Sequence, residues 1–437
     1  MAQRKNLTRR DLLKTTAGLA AGAISIPCIV PSSVFGAEGA VAPSNRLLVG
    51  MIGVGSQGGW DMRGFLGIKE TMVVAVCDID TKRQKTAKFE VDKQYGNNDC
   101  KTYLDFRDVI ARSDIDIIAT AVPDHWHSIP AIMAAQAGKD IHGQKPLART
   151  IREGRLICDA VKRYGVIWQT GSWQRSIYNF RRACELVRNG RIGKVHTVEV
   201  GLPTGAWTGN NPVQPVPSGV DWDFWLGPAP WVPFRGILHW DWRWIMDYSG
   251  GQLTDWAGHH IDIAHWALDL ERTGPIEVEG HGTFPKDGIY NTPWEYKLIT
   301  KYANGLTMII ANDKQVKNGM GVCWYGENDK WLHVTRDQPI HASDNKILDE
   351  VIGPNEVHLY ESRDHHQNFV DCVKSRRETI TPAEVAHRSL TPALLGEISM
   401  KVGRKLKWDP DKEVIVGDEQ ASRMLSRPMR GPWHLYM

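Results

Sequence analysis

Arg46-Leu47-Leu48-Val49-Gly50-Met51-Ile52 is almost entirely apolar and passes directly into Gly53-Val54-Gly55-Ser56-Gln57-Gly58. Glycines at GxGxxG spacing are a weak signal alone. A buried strand before them and a helix after them, here expected through Phe65, restrict the chain to a few α/β folds. The first glycine permits the tight turn, the second lets backbone approach a pyrophosphate, and the third lets the helix pack close to the strand. The helix N-terminus then offers unpaired N–H groups to the phosphates. A second strand, Met72 to Cys77, ends at Asp78, which lies 20 residues beyond Gly58. A carboxylate there accepts hydrogen bonds from the adenosine ribose and repels a 2′-phosphate. The expected cofactor is therefore NAD rather than NADP, with Lys82 and Arg83 as nearby opposing charges.

Further alternation comes next: Ile115 to Val122 reads as strand, Ser128 to Ala137 as helix, and Asp140-Ile141-His142 as strand. That rhythm builds a doubly wound parallel sheet, whose ligands bind beyond the carboxyl ends of the strands. Two polar clusters fall there, Pro123-Asp124-His125-Trp126-His127 and Gly143-Gln144-Lys145-Pro146. Pro123, His127 and Lys145 are thus expected near the nicotinamide, joining Gly53, Gly55, Gly58 and Asp78 as the cofactor-binding set. Beyond a helix over Phe180 to Arg188, the segments 194–201, 276–284, 294–302, 306–311 and 319–325 read as strands without helices between them.

Ahead of these elements, Thr8-Arg9-Arg10-Asp11-Leu12-Leu13-Lys14 precedes a mildly apolar, Ala/Gly-rich run from Thr15 to Val30. The run is too short and too weakly apolar for a membrane span, but it suits a secretory signal. The paired arginines resemble a twin-arginine export signal over residues 1–37, which implies a periplasmic or otherwise exported protein with no stable membrane span after processing. The first 37 residues also hold five of the 53 basic side chains and one of the 50 acidic ones. The remainder, 48 basic against 49 acidic, carries no footprint for nucleic acid. Seven cysteines without a CxxC pair indicate neither a zinc site nor a disulfide framework.

The order GxGxxG, strand-end Asp78, the Pro123-to-His127 strand end and Lys145-Pro146 resembles the Gfo/Idh/MocA oxidoreductases. His365-His366-Gln367-Asn368-Phe369 and Leu406-Lys407-Trp408-Asp409-Pro410 extend the resemblance toward the C-terminus. The family's usual Glu-Lys-Pro appears here as Gln144-Lys145-Pro146, which removes a carboxylate next to the lysine. The resemblance implies a Rossmann domain over residues 45–168. It implies an α+β substrate domain over 169–437, built on an open, largely antiparallel sheet whose free face often serves a homo-oligomer.

Gly250-Gly251-Gln252-Leu253-Thr254-Asp255-Trp256-Ala257-Gly258-His259-His260-Ile261-Asp262 resembles the family's G-G-x-L-x-D-x-G-x-H-x-x-D segment, with Ala257 where Gly is usual. On a regular helix Asp255, His259 and Asp262, at i, i+4 and i+7, share one face. His259 is then the base for a substrate hydroxyl, Asp255 its orienting carboxylate, Lys145 the partner of the developing oxygen charge, and Asp262 a substrate contact. The same cluster with His260 and His265 has metal-ligand spacing, but the nucleotide signals upstream favour a metal-free site. Nine of the 18 tryptophans lie between Trp207 and Trp266. Tryptophan is most often core, yet Trp222, Trp240 and Arg243 interleave rings with charge in a way that suits a carbohydrate. The function expected is NAD-dependent oxidation of a secondary hydroxyl of a sugar, glycoside or polyol, weighed against a redox-assisted glycosidase and a non-catalytic NAD-bound sugar sensor.

Overall fold

The structure, a computed structural model, describes residues 45–207 and 211–435. The twin-arginine motif and the proposed leader lie outside the described residues. From Leu47 onward the chain forms one compact unit.

Its first sheet contains β1 (Leu47–Ile52), β2 (Thr71–Cys77), β3 (Lys101–Tyr103), β4 (Ile117–Thr120), β5 (Asp140–Gly143) and β6 (Trp168–Thr170). Their order is β3-β2-β1-β4-β5-β6, every pair parallel, which is the doubly wound dinucleotide-binding arrangement. β1 and β4 are apolar at successive positions because helices cover both faces of such a sheet. Val49, Met51, Ile117 and Ile118 are accordingly buried. β6 straddles the boundary expected at residue 168.

The second sheet contains β7 (Thr197–Leu202), β8 (Glu277–Thr283), β9 (Glu295–Lys301), β10 (Thr307–Asn312), β11 (Gly321–Tyr325), β12 (Trp331–Val334), β13 (His341–Ala342), β14 (Leu406–Asp409) and β15 (Val414–Ile415). Its order is β13-β12-β11-β7-β10-β9-β8-β14-β15; β7 and β10 run parallel and the other pairs antiparallel. Alternate residues Val278, Leu298, Met308 and Ile310 point into the core. The 20-residue helix Ala383–Val402 approaches β9 closely: a Cβ at Gly396 would come within 2.3 Å of Leu298. Its Glu397 lies in a buried bidentate pair with Arg149, at 2.8 and 3.0 Å. No described helix is long and apolar enough to cross a membrane.

Between β7 and the histidine-rich helix, most of the tryptophan-rich segment packs as its own core. Trp222, Trp225, Phe234, Trp242 and Tyr248 form one buried cluster. The segment is fixed to the nucleotide-binding sheet by backbone hydrogen bonds from Thr81 N to Gly219 O and from Asp221 N to Ile79 O. Trp126 stacks on Phe224 at 5.6 Å and meets Trp433 edge-on at 4.7 Å, so the C-terminal tail buttresses the same contact.

Candidate active site

The carboxyl ends of β1, β2, β4 and β5 open onto one groove, lined on the sheet side by Gly53, Gly55, Asp78, Pro123, His127 and Lys145. Gly53 has φ +78°, and a Cβ there would lie 2.5 Å from Ala121 O. At Gly58 a Cβ would lie 1.9 Å from Gly53 O, so this glycine serves helix packing beneath the groove and not its surface. The helix Ser56–Leu66 starts from Gly55 without a side-chain cap, leaving its first-turn N–H groups for an anion.

Asp78 accepts hydrogen bonds from Val54 N at 3.0 Å and Asp80 N at 2.9 Å. Burial raises its pKa, against those two N–H groups and Arg83. The carboxylate thereby holds the glycine turn as well as facing the groove. The Arg83 guanidinium lies over Gly55, where an added Cβ would meet Nη1 at 2.1 Å. This glycine cradle, free helix terminus and strand-end carboxylate fit a dinucleotide.

At the far end of the groove, His127 joins two strand ends, with Nδ1 2.5 Å from Pro146 O and Nε2 2.9 Å from Val122 O. Lys145 Nζ donates to Asp255 Oδ1 at 2.8 Å and to Asp255 O at 3.1 Å. Arg243 Nε stands 3.6 Å from the same carboxylate oxygen, its guanidinium layered between Trp240 and Trp242 at 4.1 and 4.3 Å. Burial would raise the Asp255 pKa, but Lys145 and Arg243 outweigh it and lower the pKa. Nearby Asp124 is pushed upward by burial, although Ser249 Oγ donates to it at 2.6 Å.

His259 is buried, and its Nδ1 has no hydrogen-bond partner. Burial, then the charges of Lys145 and Arg336, drive its pKa well below the usual value. The ring is therefore neutral near pH 7, and with Nδ1 buried it is Nε2 that a substrate proton would have to reach.

Four expectations are corrected. Ala257–Ile261 forms a π-helical turn between the α-helices Gly251–Trp256 and Asp262–Leu268, so the segment is not one regular helix. One extra residue in a turn rotates the next helical stretch by about 100°, which parts Asp262 from the Asp255 face. Asp262 takes Arg175 Nε at 2.6 Å, Arg175 Nη2 at 2.9 Å and Ser389 Oγ at 2.8 Å, and at 1% exposure it is closed off from any substrate. The Asp255 carboxylate meets Lys145 instead of orienting His259. Trp222 is core: it stacks on Trp225 at 4.7 Å and donates Nε1 to Val232 O at 2.8 Å.

Trp240, 55% exposed, keeps a free ring face. His260 Nδ1 faces Gly201 O at 3.0 Å, and His265 Nε2 faces the Tyr302 hydroxyl at 2.7 Å. With Asp255 and Asp262 committed elsewhere, the histidine-rich helix does not gather ligands around a common point.

Sequence reasoning missed Arg336, which lies between Trp173 and Trp256 at 4.5 Å from each ring. Its Nη2 is buried without a partner, and burial lowers its pKa to about 10. No local motif marks Thr335-Arg336-Asp337 after β12; only the tertiary fold brings its charge near enough to act on His259. Asp124 sits inside the Pro123-to-His127 motif, and its place after a strand end is the signal that could have found it. Trp225 and Trp242 join Phe224 and Leu238 in the wall facing the glycine turn.

A six-stranded doubly wound sheet, a dinucleotide cradle at its carboxyl edge and a lysine–carboxylate pair at the nicotinamide end define an NAD-binding oxidoreductase. The model of the oxidoreductase family's NAD-binding Rossmann fold matches residues 47–172, and that of its C-terminal alpha/beta domain matches residues 176–435. The chain belongs to the Gfo/Idh/MocA oxidoreductase family.

Among curated relatives, the uncharacterized oxidoreductase YrbE of Bacillus subtilis is 24% identical over 282 residues, 63% of this chain and 70% of that protein. An alpha-N-acetylgalactosaminidase of Shewanella oneidensis is 27% identical over 237 residues, 46% of this chain and half of that protein. Among solved structures, the WlbA dehydrogenase of Bordetella pertussis, in complex with NADH and UDP-GlcNAcA, is 16% identical with a TM-score of 0.61, covering 83% of this chain and 99% of that one. An aldose-aldose oxidoreductase of Caulobacter crescentus is 17% identical with a TM-score of 0.59, at the same coverages. At these identities the structural likeness establishes the fold.

Proposed function

We propose that this protein oxidises a secondary hydroxyl of a sugar, glycoside or polyol and keeps its NAD through successive turnovers. The observation that carries the reading is the pairing of Lys145 with Asp255 at 2.8 Å in the groove, close enough to His259 for the lysine charge to help keep that imidazole neutral. His259 accepts the hydroxyl proton, and the Lys145 ammonium stabilises the charge developing on that oxygen. Asp255 anchors the lysine, and Arg243 supports the same carboxylate. Bound NAD supplies the hydride acceptor for the carbinol carbon. Trp240 and Arg243 offer the aromatic face and the hydrogen-bond donors that a sugar ring uses.

Retention is supported by the construction of the outer wall. Trp225 and Trp242 belong to a packed aromatic core that is pinned to the nucleotide-binding sheet. A wall of that kind opens at a higher cost than a surface loop. Export behind a twin-arginine leader belongs to the same proposal, since folding before export loads the cofactor and recycling removes the need for free NAD outside. Asp78 is proposed to favour NAD over NADP, and homo-oligomerisation to use the sheet face bearing the half-buried Ile299, Ile309 and Tyr325.

The likeness to the galactosaminidase of Shewanella oneidensis supports a second reading, in which transient oxidation assists glycoside cleavage and no net redox change remains. Nucleotide content after extensive dialysis tests retention. Near-stoichiometric NAD, with no rate increase on adding more, is expected; an empty protein active only with free NAD refutes retention. Net oxidised sugar, as against released aglycone with no net oxidation, separates the two reactions.

A further inference from the structure

Behind the groove, Asp61, His142 and His366 converge from three elements: the helix Ser56–Leu66, β5 and the helix His365–Ser375. They are 1%, 0% and 5% exposed. One oxygen or nitrogen from each lies within 4.8 Å of the others. His366 Nε2 is 3.3 Å from Asp61 Oδ1, and the two imidazoles stack at 5.2 Å. Phe65 meets both rings edge-on, at 5.5 and 5.1 Å, and closes the cluster with apolar surface.

The informative residue is His142. Both its ring nitrogens are buried, and neither has a hydrogen-bond partner. Buried polar groups are almost always satisfied, so a wholly orphaned imidazole calls for a bound partner, either an ion or an ordered water. Neighbouring His365 shows the contrast, with Nε2 2.9 Å from Thr170 O and Nδ1 3.0 Å from Ser176 Oγ.

We propose that Asp61, His142 and His366 bind one divalent transition-metal ion, zinc by preference. Two imidazoles and one carboxylate are a donor set that zinc takes readily, with a fourth position left for water. Zinc bonds of about 2.0–2.1 Å place tetrahedral ligand atoms roughly 3.4 Å apart. The Asp61–His366 pair already meets that spacing, and His142, whose ligand atom lies within 4.8 Å of both, closes it by advancing at most about 1.4 Å, a rotamer-scale movement. An outer shell is present: Gln144 Nε2 donates to the Asp61 oxygens at 2.9 and 3.1 Å and fixes the carboxylate. Gln144 also lines the groove beside Lys145, so the ion braces the strand end that carries Lys145.

The test uses untagged full-length protein loaded with Zn²⁺ or Co²⁺ and dialysed against metal-free buffer. About one equivalent of zinc retained per chain is expected. The Co²⁺ form should show visible absorption in the range of a tetrahedral site, and chelation should lower Tm. His142→Phe, which keeps an aromatic ring of similar shape, should lose the metal while NAD binding reports an intact fold. Wild type retaining less than a tenth of an equivalent would overturn the proposal and leave an ordered water as the partner. Equal retention by His142→Phe and wild type would overturn it as well. If His142→Phe fails to bind NAD, the same comparison on His366→Gln decides, with undiminished zinc again counting against the site.

Discussion

Lys145 and Asp255 stand 110 positions apart in the chain, yet Lys145 Nζ lies 2.8 Å from Asp255 Oδ1. The contact brings the end of β5 onto the helix that carries His259. Close approach is possible because position 258 is glycine: a Cβ there would lie 3.0 Å from Lys145 Cβ. The wide π-turn places Gly258 against the lysine stem and leaves Asp255 at its head. With no carboxylate at position 144, Asp255 supplies the negative partner for Lys145. Gln144 turns instead to Asp61.

His259→Ala should lower turnover on the order of 10²–10⁴-fold, the usual contribution of a general base, while bound NAD is unchanged. Rates on sugar and nucleotide content of the same preparation check this. Undiminished turnover in that variant removes His259 from the chemistry.

The pH profile follows from the depressed pKa of His259. A base is active when unprotonated, so kcat/KM should hold level from pH 7 down past 6.5 and fall only as pH passes the lowered value. A half-maximal point at or above 6.5 contradicts a buried neutral imidazole as the base.

Wild type should bind NAD(H) more tightly than NADP(H), and Asp78→Ser should narrow the difference while weakening both. The second effect arises because Asp78 also holds Val54 N and Asp80 N. Fluorescence titration of stripped protein with each nucleotide measures it; a wild type preferring NADP(H) would falsify the assignment.

Asp262→Ala should cost about 3–5 kcal/mol of stability, because it strips the buried Arg175 of a bidentate partner. Tm should drop while KM of the folded fraction stays constant. A raised KM with an unchanged Tm would restore Asp262 to the substrate site.

Glu397 carries an acid-stability limb. Arg149 and Lys401, against the opposing effect of burial, lower its pKa from 4.5 to about 2. A carboxylate depressed in the folded state stabilises fully above its unfolded pKa and loses that contribution as pH falls from 4.5 toward 2. The difference is on the order of 3 kcal/mol. Urea unfolding at pH 7 and pH 3 should show Glu397→Gln losing less stability between the two than wild type.

The sequence by itself determined the elements whose pattern is local. β1 and the glycine turn arise from an apolar run meeting Gly53, Gly55 and Gly58, since strand burial, tight turning and close helix packing are dictated within a dozen residues. Strand ends after β4 and β5 placed His127 and Lys145 at the groove for the same reason. Beyond local pattern lay the outcome of tertiary competition. Asp262 had a substrate-like position on an ideal helix, but a π-turn rotated it toward Arg175, a residue 87 positions away. Trp222 and Trp240 lie in similar aromatic, acidic surroundings; packing against Trp225 and Val232 buried one and left the other exposed. Arg336 and the Asp61–His142–His366 cluster join segments separated by tens to hundreds of residues. No spacing rule connects such segments, because the contacts arise only when two sheets and their covering helices have packed.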